Sequence, residues 1–200
     1  MNWHISDLEH GYITRYLVSE PRLEDVSGDR VAIASESNVW AGSTAAASHI
    51  SPLRTNFLSK IKNEGIKAPE FPDCQPEGTA ELLGSKLTLT YRAPFGDPRV
   101  GTSIFSSTPR WISMAAMTVL ECSTGGTYTF SLSVTGGMAI YIDGKEAHSF
   151  RPYERNTPVD ETFSLSLRKG DNILTFEMDE FAERDTELTF SLKLEKGPGS

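Results

Sequence analysis

The densest chemistry in the chain lies in two short segments. Phe150-Arg151-Pro152-Tyr153-Glu154-Arg155-Asn156-Thr157-Pro158 sets a tyrosine close to an arginine and an asparagine. A tyrosine ring can stack on the apolar face of a sugar, and guanidinium and amide groups can donate to its hydroxyls. The same stretch also reads as a stiff crossover. Pro152 and Pro158 restrict the backbone, and an arginine's fork of donors often ties loop carbonyls together. The second segment, Asp179-Glu180-Phe181-Ala182-Glu183-Arg184-Asp185-Thr186, crowds four carboxylates around Arg184. Paired carboxylates are the machinery of glycoside hydrolysis, and Glu183 or Asp185 would carry it. The plainer reading is a loop between two strands in which Arg184 neutralises its neighbours.

Aromatic residues form a third group. Trp3, Trp40 and Trp111 offer the largest stacking faces, with Tyr12, Tyr16, Tyr91 and Tyr141. Trp40 sits in a polar stretch and is the one expected at the surface; Trp111, within an apolar run, is expected in the core. His4, His10, His49 and His148 are scattered and match no zinc spacing. The chain has no H-E-x-x-H, no G-x-S-x-G elbow, no phosphate-binding glycine loop and no dinucleotide fingerprint. These observations point to no catalytic site, no metal and no cofactor.

Composition narrows the partners. The 200 residues are 38% hydrophobic and carry a formal charge of −8, with a sequence pI near 5.0. That charge disfavours nucleic acid and anionic membranes and is compatible with neutral glycans. Cys74 and Cys122 are too few for a disulfide framework and read as ordinary thiols. The opening Met1-Asn2-Trp3-His4 has no basic, then apolar, leader pattern. The expected compartment is therefore the cytoplasm, unless a leader precedes this sequence. Residues 196–200, Lys-Gly-Pro-Gly-Ser, read as a flexible tail or an expression remnant.

The elements that must position these residues are strands. In Thr127–Val134, Tyr128, Phe130, Leu132 and Val134 alternate with Thr127, Thr129, Ser131 and Ser133. Side chains of a strand alternate faces, so one face is apolar and the other rich in hydroxyls. Thr162–Leu167 and Leu188–Leu194 repeat the scheme. Strands with one solvated face belong to antiparallel sheets. Asp143-Gly144 marks a hairpin between 140–142 and 145–150, and residues 168–172 mark a second tight turn leading into 173–176. Lys86–Tyr91, Val100–Phe105 and Trp111–Cys122 read as further strands, the last central.

The first hundred residues are looser. His10–Val18 reads as the first strand, ending at Ser19-Glu20-Pro21. Residues 22–48 read as a long polar excursion with one short strand at 31–34, and Ala68–Gly78 as a loop. Ser51-Pro52 opens one short helix, with Leu53, Phe57, Leu58 and Ile61 at helical spacing and Gly65 at its end. It would cover an edge or end of the sheets. The expectation is one all-β domain over 1–195, an antiparallel β-sandwich of jelly-roll type with one short covering helix. Its loop-rich half would be 1–100 and its core strands 101–195.

From Gly125 to Leu194 the order is a G-x-Y-x-F strand, a glycine-marked break, an I-Y-I-D-G-K hairpin, then L-R-K-G-D-N and I-L-T-F. This resembles the protective-antigen-like β-sandwich domains and, more loosely, the galactose-binding-like jelly rolls. The resemblance implies an accessory module of a bacterial carbohydrate-active enzyme. Its partners would be a glycan or an adjacent catalytic domain of the same polypeptide. The A-E-R-D-T run at 182–186 and the Y-x-R-N run at 153–156 are similar to segments in leading domains of large bacterial glycoside hydrolase-like proteins. Sugar-binding relatives of the protective-antigen type hold calcium with an acidic pair after their first strand. Here Thr135-Gly136-Gly137 stands at that break, so calcium-dependent recognition of that type is not expected. The implied role is non-catalytic glycan recognition by Tyr153, Arg155, Asn156, Glu183, Arg184, Asp185 and Trp40. The alternatives are a purely structural domain-docking module and, behind it, a small glycosidase using the loop carboxylates.

Overall fold

The computed structural model of the protein describes residues 8–25, 77–82, 85–92, 96–152, 154 and 156–199. The expected helix after Ser51 and the strand at 31–34 lie outside them. The described part is all-β, with two antiparallel layers and no helix. Twelve strands form: β1 (Leu8–Glu9), β2 (Tyr12–Ile13), β3 (Tyr16–Ser19), β4 (Arg22–Asp25), β5 (Glu77–Leu82), β6 (Ser85–Arg92), β7 (Val100–Cys122), β8 (Gly126–Val134), β9 (Gly137–Ile142), β10 (Lys145–Phe150), β11 (Val159–Leu167) and β12 (Gly170–Lys196).

The frame is a ribbon made of the two longest strands. β7 pairs antiparallel with β12 along nearly its whole length, from Gly170 opposite Cys122 to Phe190 opposite Val100. The register slips between Ala182 and Arg184, and there the ribbon bends. A bulge adds a residue on one strand and sharpens the local bend and twist. On one side of it, the first half of β12 lies between β7 and β9, with β10 beyond β9. On the other side of β7 in this first layer come β4 and β3, then β6 and β5. Past the bulge, β12 lies between the first part of β7 and β8, with β11 beyond β8 and the short β2 beside Lys193. Phe176 and Phe190 show the result. A straight strand would hold positions fourteen residues apart roughly 46 Å from each other. Their ring centroids are 5.0 Å apart, stacked across the interior, with Tyr16 edge-on to both.

The alternation read from sequence sets the core. Phe130, Leu132, Val134, Phe163, Leu165 and Leu167 of the second layer are buried against Leu174, Phe176, Met178 and Ile140 of the first. At the layers' edge, His148 of β10 stacks on Phe163 of β11 at 4.3 Å, and its Nε2 lies 2.8 Å from Glu161 Oε2. The turn between β9 and β10 has φ of 47° at Asp143 and 82° at Gly144, the left-handed pair that Asp-Gly signals.

Three expectations change. The Asp179–Thr186 segment is not a loop but an internal part of β12, and Asp179 and Glu180 are buried. Its charge density reads as a loop, whereas a bulge lets the chain change layers without leaving the ladder. The expected first strand, His10–Val18, divides into β2 and β3, and its start, His10-Gly11, is a turn with both φ values positive that follows β1. Arg22–Asp25 and Glu77–Leu82, expected in a polar excursion and partly in a loop, are strands. Their pairing, with β7 and with β6, is what identifies them as strands.

Candidate functional site

The two layers differ on their outer faces. In the first, the outward positions Thr175, Glu177 and Asp179 of β12, Tyr141 of β9 and Trp111 and Met117 of β7 are all buried. The Tyr141 hydroxyl donates to Glu177 Oε2 at 3.1 Å. Burial, reinforced by the Glu177 charge, pushes that phenol far above its usual range. In the second layer the outward side chains are small and polar, and most stay partly exposed. Register places Ser133 opposite Ser191 on one side and Asp160 on the other, and Ser131 opposite Lys193 and Thr162.

Two shallow grooves open on this second face. One, of about 280 Å³, is floored by Ser131, Ser133 and Ser191 and bordered by Tyr12, Asp160, Lys193 and Glu195. Tyr12 is brought there by β2, which pairs with Lys193, and by the Leu194 amide, which donates to the Gly11 carbonyl at 2.7 Å. Lys193 Nζ sits 6.0 Å from the Tyr12 ring centroid and 3.0 Å from Glu195 Oε1. The Ser131 hydroxyl donates to that same Oε1 at 2.9 Å. The Lys193 ammonium, then the Ser131 hydroxyl, hold the Glu195 carboxyl below the usual carboxylate range. The floor is thus lined with hydroxyls and carboxylate oxygens, beside an aromatic ring, which is the chemistry that reads sugar hydroxyls and ring faces.

The other groove, of about 250 Å³, lies toward the bulge and is lined by Asp97, Arg99, Gly101, Thr102, Ser103, Glu187 and Thr189. Arg99 grips Asp97 through Nη2 and Nε at 2.7 and 2.9 Å, which lowers the Asp97 carboxyl. Next to this groove, the Thr135 hydroxyl donates to the Glu187 carbonyl at 3.0 Å and accepts from the Thr189 amide at 2.8 Å. Thr135 is buried, so the break between β8 and β9 ties the sheet corner to β12. Among the described residues no group of three His, Cys, Asp or Glu side chains gathers in a form suited to a metal.

Of the residues singled out by sequence, Asn156, Arg184 and Asp185 come together. Asn156, at φ 57°, donates from Nδ2 to the Asp185 carbonyl at 2.9 Å, and its Oδ1 accepts from the Glu187 amide at 2.7 Å. The amide therefore fastens the β10–β11 connection to β12 beside the second groove. Arg184 is exposed at the bulge with φ 57°. Asp185 is exposed on an open sheet, not in the water-excluded pocket that acid–base catalysis uses. Tyr153, Arg155 and Trp40 lie outside the described residues, as does the side chain of Glu183. Sequence reasoning offers Tyr12 only as one of several stacking rings and misses Ser131, Ser133, Asp160, Lys193 and Glu195 as site residues. The hydroxyl-rich faces of β8, β11 and β12 were the signal available.

No known family profile and no curated protein sequence matches the chain. Solved structures match it in part. A β-glucosidase from Kluyveromyces marxianus superposes with a TM-score of 0.36 and 16% identity over 46% of this chain, which spans 12% of that enzyme's length. The PA14 domain of the MpAFP antifreeze protein gives 0.35 and 16% over 62% of each chain. CBM35 from Paenibacillus barcinonensis gives 0.33 and 12% over 50% of this chain and 91% of its own. Similarity this partial leaves the β-sandwich assignment to rest on the strand pairing described above.

Proposed function

We propose that this chain is a non-catalytic carbohydrate-binding module, the accessory part of a larger glycoside hydrolase-like protein, and that the second layer's outer face receives the glycan. The observation that carries the reading is the serine-floored groove with Tyr12 at its border and the Lys193–Glu195 pair along it. The serine hydroxyls there can donate to and accept from sugar hydroxyls and the carboxylates accept from them, while the tyrosine ring offers an apolar surface to the sugar's C–H face. The connection fastened by Asn156 forms a rim beside the second groove, where Arg184 and Asp185 would add contacts, and Tyr153 and Arg155 are further candidates from the same stretch of sequence.

The test is affinity gel electrophoresis of the chain against neutral polysaccharides, comparing wild type with Tyr12→Ala and Tyr153→Ala. Retardation lost in Tyr12→Ala supports the sheet face. Retardation lost only in Tyr153→Ala moves recognition to the rim. No retardation on any polysaccharide contradicts the reading and favours a domain-docking role.

A further inference from the structure

We infer that the two grooves are one platform, and that its occupant is an extended, neutral oligosaccharide of several units held at both ends by aromatic rings. The inference rests on the glycan-binding reading above and adds to it the length and charge class of the ligand.

Continuity comes from β12. Glu187 and Thr189 line one groove and Ser191 and Lys193 the other, and alternate residues of a strand share a face. At Gly101, which pairs with Thr189, no side chain rises from the end of the second groove's β12 lining that faces Ser191. A Cβ there would lie 2.0 Å from the Leu188 carbonyl oxygen, so the backbone itself keeps that position bare. Length comes from the two aromatic residues. Phe105 pairs with Asp185, and Tyr12 pairs with Lys193. Eight strand residues put these positions roughly 26 Å apart, well beyond the reach of a single sugar ring. Phe105 projects from the face with 69% of its surface exposed. A phenylalanine that open is the informative exception on a polar sheet, and a sugar's C–H face suits it. Charge comes from the linings: Asp97, Asp160, Glu187 and Glu195 outnumber Arg99 and Lys193, and each of these two cations already pairs with a carboxylate of the face. A chain of uronates or sulfated sugars would meet net repulsion.

The experiment is isothermal titration calorimetry of the full chain with gluco-, xylo- and manno-oligosaccharides from disaccharide to hexasaccharide, with oligogalacturonides of matched length alongside. The inference predicts that, in the series that binds, affinity rises at least about tenfold from disaccharide to hexasaccharide. Phe105→Ala should abolish the rise with length, and Phe105→Trp should retain it. Binding that is flat with length, or indifferent to Phe105→Ala, overturns the platform while leaving the glycan-binding reading intact. Oligogalacturonides bound as well as the neutral series overturn the charge class. Failure of every neutral sugar, with the melting curve unchanged, overturns the parent reading as well.

Discussion

At the scale of single residues, side chains that read alike in sequence separate by what they touch. Asn156 stood among ligand candidates, and its amide is instead committed to Asp185 and Glu187. Asparagine also tolerates the left-handed backbone it adopts there, which alanine does not. Asn156→Ala should therefore destabilise the protein by about 1–2 kcal/mol in a urea melt, and Asn156→Asp, which keeps the acceptor, by less. Tyr16 is the opposite case. Its ring packs edge-on against Phe176 and Phe190, but its buried hydroxyl has no hydrogen-bond partner among the described residues. Tyr16→Phe should be neutral or stabilising by up to about 1 kcal/mol, because an unsatisfied buried hydroxyl is removed without opening a cavity. Burial also raises the ionisation of Tyr16 and Tyr141 above the ordinary tyrosine value. The folded state then keeps protons that the unfolded chain releases above pH of about 10. Their contribution is complete below that pH and declines as it rises further. Absorbance near 295 nm should show both phenols ionising only as circular dichroism reports unfolding. Cys122 follows the same logic: burial pushes its thiol up, so alkylation mapped by mass spectrometry should stay slow at Cys122 until denaturant is added.

At the scale of elements, the alternation of β8, β11 and the end of β12 was legible because each strand buries one face and solvates the other. The Asp-Gly hairpin was legible for an equally local reason, the positive φ at both positions. The continuity of β12 was not. Charge from Asp179 to Asp185 resembles a loop, and only pairing with β7 on both sides of the bulge shows a strand that changes layers. Gly136 marks the companion corner between β8 and β9. It has φ 78°, and a Cβ would lie 2.6 Å from the Asp179 carbonyl oxygen. Gly136→Ala should cost about 2 kcal/mol or more, since the clash is with backbone and the conformation is one that L-residues avoid. Equilibrium denaturation measures it. A change well under 1 kcal/mol would mean the corner relaxes freely.

At the scale of the whole molecule, the two layers divide the work. The central outward positions of the first layer are buried, Glu177 and Asp179 among them, while the second layer's face keeps serines, threonines, Tyr12 and Phe105 toward solvent. The chemical character of that face was in the sequence, as Ser131, Ser133 and Thr162. Its aromatic ends were legible only in part: Tyr12 reads as a stacking ring without a place, Phe105 does not stand out, and both reach the face through pairing with β12. Tyr153 draws attention because it is close in sequence to other candidate recognition residues, whereas a sheet surface assembled from distant strands leaves no such local signal. The role we propose for this face is to hold a neutral glycan. The most direct test is a nitrogen-15 chemical-shift titration of the chain with the neutral hexasaccharide that binds it best. The claim predicts saturable shifts concentrated at Ser131, Ser133, Thr189, Ser191 and Lys193, with Val119, Ile140 and other first-layer amides unmoved. Saturable shifts confined to the first layer, or none with any neutral hexasaccharide at millimolar concentration, would contradict it.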